Sequence, residues 1–220
     1  MSERTIRVTG RGKLSVKPDT IRISISASEV CKEYEAAVRR SASQTGVLRK
    51  VMERAGLDPK SLKTTSFGID TEYNSYRDKK GEYKRVFLGY RYTHRLYFTF
   101  PNDNKLLGKV LYELANCSAD VEFSLMHTVK DAEAVKNELL GKAVGDSKAK
   151  AEILTRAAGV SLGEIKLIDY SWGELQIYSE PLRYYDAECV KSVGSVGYDI
   201  DIEADDIDVQ DTVTVVWEIN

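Results

Sequence analysis

The amino-acid sequence predicts an α+β fold made of two β-α-β-β-like units, with antiparallel sheets, two long helices and one shorter helix. Apolar residues recur every three or four positions in some segments, which predicts helices, and they alternate in others, which predicts strands. A motif also repeats where each long helix ends. Ala55-Gly56-Leu57 precedes Leu62, and Ala158-Gly159-Val160 precedes Ile165 at the same distance. We therefore expect one domain over residues 1–220, made of two intertwined subunits at about 1–100 and 101–220.

The N-terminal segment contains two predicted strands. Arg4–Gly10 alternates, and Gly10-Arg11-Gly12 predicts a turn, because neither a helix start nor a complete phosphate-binding motif follows it. Lys17-Pro18-Asp19 interrupts the chain again, since proline cannot donate to a sheet. Ile21–Ile25 then alternates with polar residues, as in a half-buried strand.

The first long helix and a long hairpin follow. Glu33–Ala55 has apolar residues at helical spacing, and Gly56 ends it. Lys63–Tyr76 and Arg85–Phe100 predict two strands joined by the polar turn Arg77–Gly81. One face of the second strand carries Tyr90, Tyr92, His94, Leu96, Phe98 and Phe100.

The second half begins with the shorter helix. Pro101-Asn102-Asp103 precedes this helix, which ends near Ala115, and Val121–His127 alternates as a strand. Asp131–Gly159 is the second long helix, with Asp131 placed to cap its start and Gly159 its end. Its predicted buried stripe is Ala132, Val135, Leu139, Ala143, Ser147, Ala151, Leu154 and Ala158.

The C-terminal part has weaker signals. Ile168, Tyr170 and Trp172 mark a strand after the second long helix. A long acidic connection then leads to strand character near Tyr198–Ile202. Val213–Ile219 alternates and predicts the last strand.

Composition excludes several protein classes. Hydrophobic residues make up 42% and charged residues 30% of the chain, as in globular proteins. No apolar run approaches the roughly 20 residues of a membrane span, and the N-terminus lacks an export signal, so we expect a cytoplasmic protein. Cys31, Cys117 and Cys189 are odd in number and widely spaced, which predicts free thiols.

No pattern predicts a catalytic, cofactor or metal site. His94 and His127 each fall on the apolar face of a strand, so we expect them in the core; a metal pair would need further ligands from scattered residues. Asp199-x-Asp201-x-Glu203 begins like a calcium loop but lacks its glycine and its last glutamate, which favours an exposed edge strand. We therefore expect no cofactor and no enzymatic activity.

Charge divides the chain into two halves. Residues 1–100 carry 21 Lys+Arg against 11 Asp+Glu, a net charge of +10, and residues 101–220 carry 11 against 23, a net charge of −12. We expect the halves to attract each other, within a chain or between chains. The predicted interface residues are basic and tyrosine residues of the hairpin and acidic residues near the C-terminus: Tyr76, Lys79, Lys80, Tyr83, Lys84, Arg85, Asp205, Asp206 and Asp208.

Two kinds of partner fit this hairpin. A contact between two different patches of one chain is heterologous, so it predicts a homo-oligomer that can close into a ring. Basic groups beside aromatic side chains also bind single-stranded nucleic acid. The alternative function is therefore a nucleic-acid-binding module that uses hairpin residues 63–100.

The order and spacing of several motifs resemble the SIMPL domain family, also called DUF541. They are Val8-x-Gly10-x-Gly12, Pro18-Asp19, Gly89-Tyr90, the Asp131–Gly159 helix and a C-terminal Val-x-Val strand. The resemblance covers nearly the whole chain, from Arg4 to Ile219. It implies a single SIMPL-like domain of unknown function without established catalytic residues. Bacterial members are mostly exported, and at least one is similar to a ring-forming antigen.

We expect no export signal in this chain, and this expectation and the acidic segment Gly173–Asp211 depart from that pattern. The expected function is that of a non-enzymatic, self-assembling binding or scaffold protein of the SIMPL type.

Overall fold

The computed structural model describes residues 4–77, 81–170, 177–179, 182–183 and 202–220. Antiparallel strands and three α-helices confirm the predicted α+β class, with two long helices and one shorter one. Among the described residues, no helix is both long and apolar enough to cross a membrane. The elements in chain order are β1 (Thr5–Val16), β2 (Thr20–Cys31), α1 (Tyr34–Ala55), a 3₁₀ turn (Pro59–Ser61), β3 (Lys63–Arg77), β4 (Tyr83–Pro101), α2 (Asn104–Ala115), β5 (Glu122–Thr128), α3 (Ala132–Ala157), β6 (Leu162–Asp169), β7 (Leu182–Arg183) and β8 (Ile207–Ile219).

The chain divides into two compact units. The first unit comprises Met1–Asp19, Thr128–Ser179 and Ala204–Asn220, and the second comprises Thr20–His127 and Glu180–Glu203. The predicted division into related halves at about 1–100 and 101–220 concerns a structural repeat and stays a prediction.

The first unit is a three-stranded antiparallel sheet in the order β1-β8-β6, with α3 packed against it. Alternate residues of β8 are buried because they face the helix, and Trp217 lies in register with Ile6. The core beneath α3 contains Val8, Ala143, Ala151, Val213, Val215 and Trp217.

The turn predicted at Gly10-Arg11-Gly12 is wrong, because β1 continues through it to Val16. These glycines lie directly under α3. A Cβ on Gly10 would overlap the carbonyl oxygen of Ala143, and one on Gly12 would overlap that of Leu139. Glycine is present here because the helix backbone approaches the strand too closely for any side chain.

The predicted second long helix is confirmed as α3. The Asp131 carboxylate accepts a hydrogen bond from the Ala134 N–H at 2.9 Å, and Gly159 follows the helix at φ 70°. The predicted stripe is partly buried at Ala132 and Val135 and buried from Leu139 to Ala151. Its end is wrong, because Thr155 is buried while Leu154 is 50% exposed and Ala158 is exposed. The buried positions of α3 follow one another at steps of four residues from Leu139 to Thr155. Leu154 is off this spacing and is therefore turned away from the sheet.

The second unit is a five-stranded sheet in the order β3-β4-β2-β5-β7, with α1 and α2. Ile21, Ile23 and Ile25 of β2 are fully buried, as their alternation predicted. They lie in register with Phe100, Phe98 and Leu96 of β4. The apolar face of α1 covers them with Leu48, Val51, Met52 and Ala55.

Several strand boundaries in the structure differ from the predicted ones. The strand marked by Ile168 ends at Asp169, before Tyr170, and Trp172 lies outside the described residues. So do residues 198–201 of the strand expected near Tyr198–Ile202, and Ile202 itself is not in a strand. The last strand starts at Ile207 instead of Val213, because Ile207 and Val209 extend its buried face between acidic residues.

Candidate interaction surface

The predicted hairpin extends well beyond the sheet. β2 pairs with β4 only as far as Tyr90, so the residues before Gly89 pair with β3 alone. We call this two-stranded ribbon, Tyr73–Arg77 with Tyr83–Leu88, the arm. All eleven of these residues are exposed. The five paired residues of each strand correspond to roughly 17 Å at about 3.4 Å per residue.

A glycine bulge separates the arm from the sheet. The register shifts between Glu72 and Tyr73, where Leu88 is the extra residue on β4. Gly89 next to it has φ 144°, and a Cβ there would overlap the carbonyl oxygen of Cys31. A bulge bends its strand and increases the local twist. Gly89 therefore lets β4 pass the end of β2 and continue as a free ribbon.

An ion pair braces the base of the arm. The Arg91 guanidinium donates from Nε and Nη2 to the Glu72 carboxylate at 3.0 and 3.1 Å. This bidentate hydrogen bond lowers the pKa of Glu72. Exposed pairs of this kind stabilise weakly, so its effect is mainly to fix the two strands where the bulge leaves the sheet.

One side of the arm carries a ladder of aromatic rings. Neighbouring ring centroids lie 5.4 to 5.8 Å apart with edge-to-face geometry. Two guanidinium groups lie over rings, Arg85 at 3.8 Å from Tyr73 and Arg77 at 5.5 Å from Tyr83. We define the aromatic ladder as Tyr73, Phe87, Tyr90 and Tyr34 with Arg85. Arginine over an aromatic face is attracted by the ring electrons, which favours this arrangement of the exposed side chains.

The structure places the predicted hairpin residues on both sides of the arm. Tyr76 and Lys84 are cross-strand partners on one side, with Tyr76 46% exposed. Tyr83 is 75% exposed and, with Arg85, lies on the side that bears the ladder. Lys79 and Lys80 lie outside the described residues.

The predicted acidic residues lie in the first unit. Asp205, Asp206 and Asp208 are all exposed, next to and within the start of β8. Residues 203–211 of this segment also include Glu203 and Asp211, so it is strongly acidic. The acidic patch, defined as Asp205, Asp206 and Asp208, can therefore meet a basic partner.

Sequence reasoning missed the apolar part of the arm. Tyr73, Val86, Phe87 and Leu88 are each more than a third exposed, although their side chains are large and apolar. The available signal was the run Val86-Phe87-Leu88 close to the hairpin turn, where a strand covered on one face would alternate.

The two histidines differ in surroundings. His127 is 2% exposed, in agreement with its predicted core position, whereas His94 is only half-buried. His94 joins α1 to the edge strand β3, since Nδ1 lies 3.0 Å from the Ser41 hydroxyl and Nε2 lies 2.9 Å from the Thr64 hydroxyl. Burial lowers the pKa of both imidazoles, so they are neutral at pH 7.

Metal and thiol chemistry have little support in the described part of the chain. No group of three or more His, Cys, Asp and Glu side chains there could hold a metal ion. Cys31 and Cys117 are free, as predicted, and burial raises the pKa of the Cys117 thiol. A thiol with a raised pKa is a weaker nucleophile at neutral pH. Cys189 and the segment Asp199–Asp201 lie outside the described residues.

Comparison with known proteins identifies relatives over most of the chain. Residues 6–217 match the SIMPL family model, described as a protein of unknown function (DUF541). The 26 kDa periplasmic immunogenic proteins of Brucella melitensis biotype 1 and Brucella abortus strain S19 are each 29% identical over 161 residues. That match covers 73% of this chain and 64% of each relative, slightly less than two thirds of their length. The match to the family model extends over nearly the whole sequence, and the chain belongs to the SIMPL family.

Proposed function

We propose that this SIMPL protein is a non-enzymatic, self-assembling binding protein and that the arm is the element through which its copies associate. The observation that carries the proposal is the arm itself, a ribbon whose large apolar side chains are exposed on both faces. Contiguous exposed apolar surface of this kind marks interaction sites in folded proteins.

The composition of the arm supports a protein partner. Tyrosine, phenylalanine and arginine are enriched in protein–protein interfaces, and the arm presents all three. The arginines lie over the rings, so their side chains are already partly ordered before binding. Preorganised side chains lose less conformational entropy when a partner covers them.

Charge favours a second copy of this chain as that partner. Residues 73–88 carry Arg77, Lys79, Lys80, Lys84 and Arg85 against Asp78 and Glu82. The acidic patch offers exposed carboxylates of opposite charge. An arm of one copy on the acidic patch of the next is a heterologous contact, which closes into a ring when the rotation between copies allows it. Opposite charges set the orientation more than the affinity.

The alternative function is nucleic-acid binding, and the guanidinium–ring pairs favour it. Bases stack on exposed aromatic rings while arginine and lysine contact phosphates. Such binding would weaken steeply with salt as counterions are released. Binding of single-stranded RNA that disappears on reversing the arm charges, in a protein that stays monomeric, would favour this function over self-assembly.

Light scattering tests the assembly directly. Changing Lys79, Lys80, Lys84 and Arg85 to Glu should lower the molar mass, because it places like charges opposite the acidic patch. Changing Asp205, Asp206 and Asp208 to Lys in the same chain should partly restore it. A monomer at tens of micromolar, or an oligomer unaffected by the first set of changes, would contradict the proposal.

The proposed assembly is compatible with either cellular compartment. The Brucella relatives are named as periplasmic proteins, which gives no support to the cytoplasmic location expected from the sequence. Assembly through the arm requires neither location, since it depends on surface side chains and not on the redox state of Cys31 or Cys117.

A further inference from the structure

A second surface feature lies in the first unit, apart from the arm. It is a cleft of about 560 Å³ at the edge strand β1, lined by residues of β1, α3 and β8. Clefts of this size hold small molecules. The lining residues are Thr9, Arg11, Lys13, Asp146, Lys150 and Thr212.

The negative charge of the carboxylate in this cleft is balanced by a neighbouring lysine. Asp146 of α3 accepts a hydrogen bond from Lys150 Nζ at 2.6 Å and another from the Arg11 backbone N–H at 2.7 Å. These hydrogen bonds, that of Lys150 first, lower the pKa of Asp146. Asp146 therefore ties α3 to the edge of β1, and its charge is balanced by Lys150.

Arg11, Lys13 and the Thr212 hydroxyl also line this cleft, and the charge of Arg11 helps to lower the pKa of Asp146. The side chains of Arg11, Lys13 and Thr212 are exposed, and none of them forms a hydrogen bond or salt bridge with another described residue. With Asp146 balanced by Lys150, the remaining lining charge is positive. The cleft therefore presents donors and positive charge with little to oppose an anion.

The strand register brings these three donors together. Arg11 lies directly opposite Thr212, and Lys13 is two residues further along the same face of β1. Cross-strand partners have Cβ atoms about 5 Å apart, and residues two apart on a strand are separated by roughly 7 Å. Long side chains at such spacing can reach one group of about phosphate size.

We propose that this cleft binds the phosphate or sulfate group of a small soluble molecule. A tetrahedral oxyanion offers several acceptor oxygens, which suits the planar fork of Arg11 together with Lys13 and the Thr212 hydroxyl. A carboxylate offers only two. The site shares no residue with the arm or the acidic patch, so it is independent of the proposed assembly.

Calorimetric titration of the full chain with inorganic pyrophosphate tests the site. The wild-type protein should bind at or below about 1 mM, an affinity suited to a small anion. Arg11→Gln and Lys13→Gln should each weaken binding roughly tenfold, because each removes a charge-assisted hydrogen bond. The matched control is Lys17→Gln, which removes the same charge from the same chain segment and should change the affinity less than twofold.

Further titrations distinguish the possible sources of the anion. Inorganic sulfate should compete with pyrophosphate, whereas acetate at equal ionic strength should not. Tighter binding to phosphatidic acid vesicles than to pyrophosphate, lost in the same variants, would overturn the small-molecule proposal in favour of a lipid surface. Absent pyrophosphate binding, or equal weakening by all three glutamine substitutions in proteins with unchanged melting temperatures, would overturn the site itself.

Discussion

The three-stranded sheet of the first unit and the arm of the second are both antiparallel β-structure, but they differ in what covers them. In the sheet, α3 lies so close to β1 that Gly10 and Gly12 have no room for a Cβ. In the arm, each side chain is exposed, and Gly89 serves to release the ribbon from its neighbour. Gly10 and Gly12 thus allow α3 to pack closely on β1, whereas Gly89 allows β4 to continue beyond the end of β2.

The difference also separates stability from interaction. Apolar side chains under α3 are buried and contribute to the free energy of folding. Apolar side chains on the arm gain nothing comparable from folding, since they remain in water. Their exposure is the basis for the proposal that the arm binds a partner.

The largest expected effect on stability concerns the core between α3 and the three-stranded sheet. Leu139→Ala should destabilise the protein by about 2–5 kcal/mol, because Leu139 lies on the fully buried face of α3 and its truncation leaves a cavity. Glu138→Ala, one position off the stripe, should change the free energy of unfolding by less than about 0.5 kcal/mol. Similar urea midpoints for the two variants would show that the stripe does not carry the core.

The next effect concerns the close contact of α3 with β1. Gly10→Ala should cost about 1–3 kcal/mol or more, because the added methyl meets helix backbone that cannot rotate away. The matched control is Gly46→Ala in α1, where a Cβ meets nothing within 4 Å, and it should stabilise by about 0.5–1 kcal/mol. Thermal unfolding of both variants is the measurement. A neutral Gly10→Ala would rule out the close approach.

A pair of identical substitutions compares the two regions directly. Val215→Thr should destabilise by about 1–3 kcal/mol, because it buries a hydroxyl at a position with no exposure. Val86→Thr on the arm should change stability by less than about 0.5 kcal/mol. Equal losses in chemical denaturation would mean that the arm is covered within its own chain.

The smallest effect concerns pH. Burial holds the pKa of His94 in the folded protein below its unfolded value of about 6.5. The contribution of neutral His94 to the free energy of unfolding is therefore fully present above pH 6.5 and is lost as the pH falls toward the folded pKa. His94→Gln should remove part of this decline in melting curves from pH 7 to pH 5, and a chelator should leave melting unchanged. A full decline in the variant would exclude His94 as its source. Stoichiometric zinc, lost together with stability in His94→Gln, would contradict the prediction that His94 binds no metal.

Much of the fold could be predicted from residue spacing. The alternation of Ile21, Ile23 and Ile25 and the helical spacing of α1 and α3 were sufficient, because periodicity reports which face is buried. The turn at Gly10-Arg11-Gly12 was wrong because glycine is equally suited to a turn and to close backbone contact, and only the position of α3 distinguishes them.

Sequence patterns identified only part of the candidate interaction surface. Charge and tyrosine content singled out Tyr76, Tyr83 and Lys84. The apolar residues of the arm were read as sheet residues, because the point where β2 ends depends on strand pairing and not on local sequence. The anion cleft was missed for a similar reason, since Arg11 and Thr212 are brought together by the register of β1 with β8.

The central claim is that the exposed aromatic residues of the arm hold copies of the chain together. The most direct test is the molar mass in solution of the double variant Tyr83→Ser, Phe87→Ser beside the control Val38→Ser, which removes a similarly exposed side chain from α1. We predict that wild type and control form the same oligomer, while the double variant falls toward the 24.7 kDa monomer without loss of thermal stability. A monomeric wild type, or a double variant with the mass of the control, would contradict the claim.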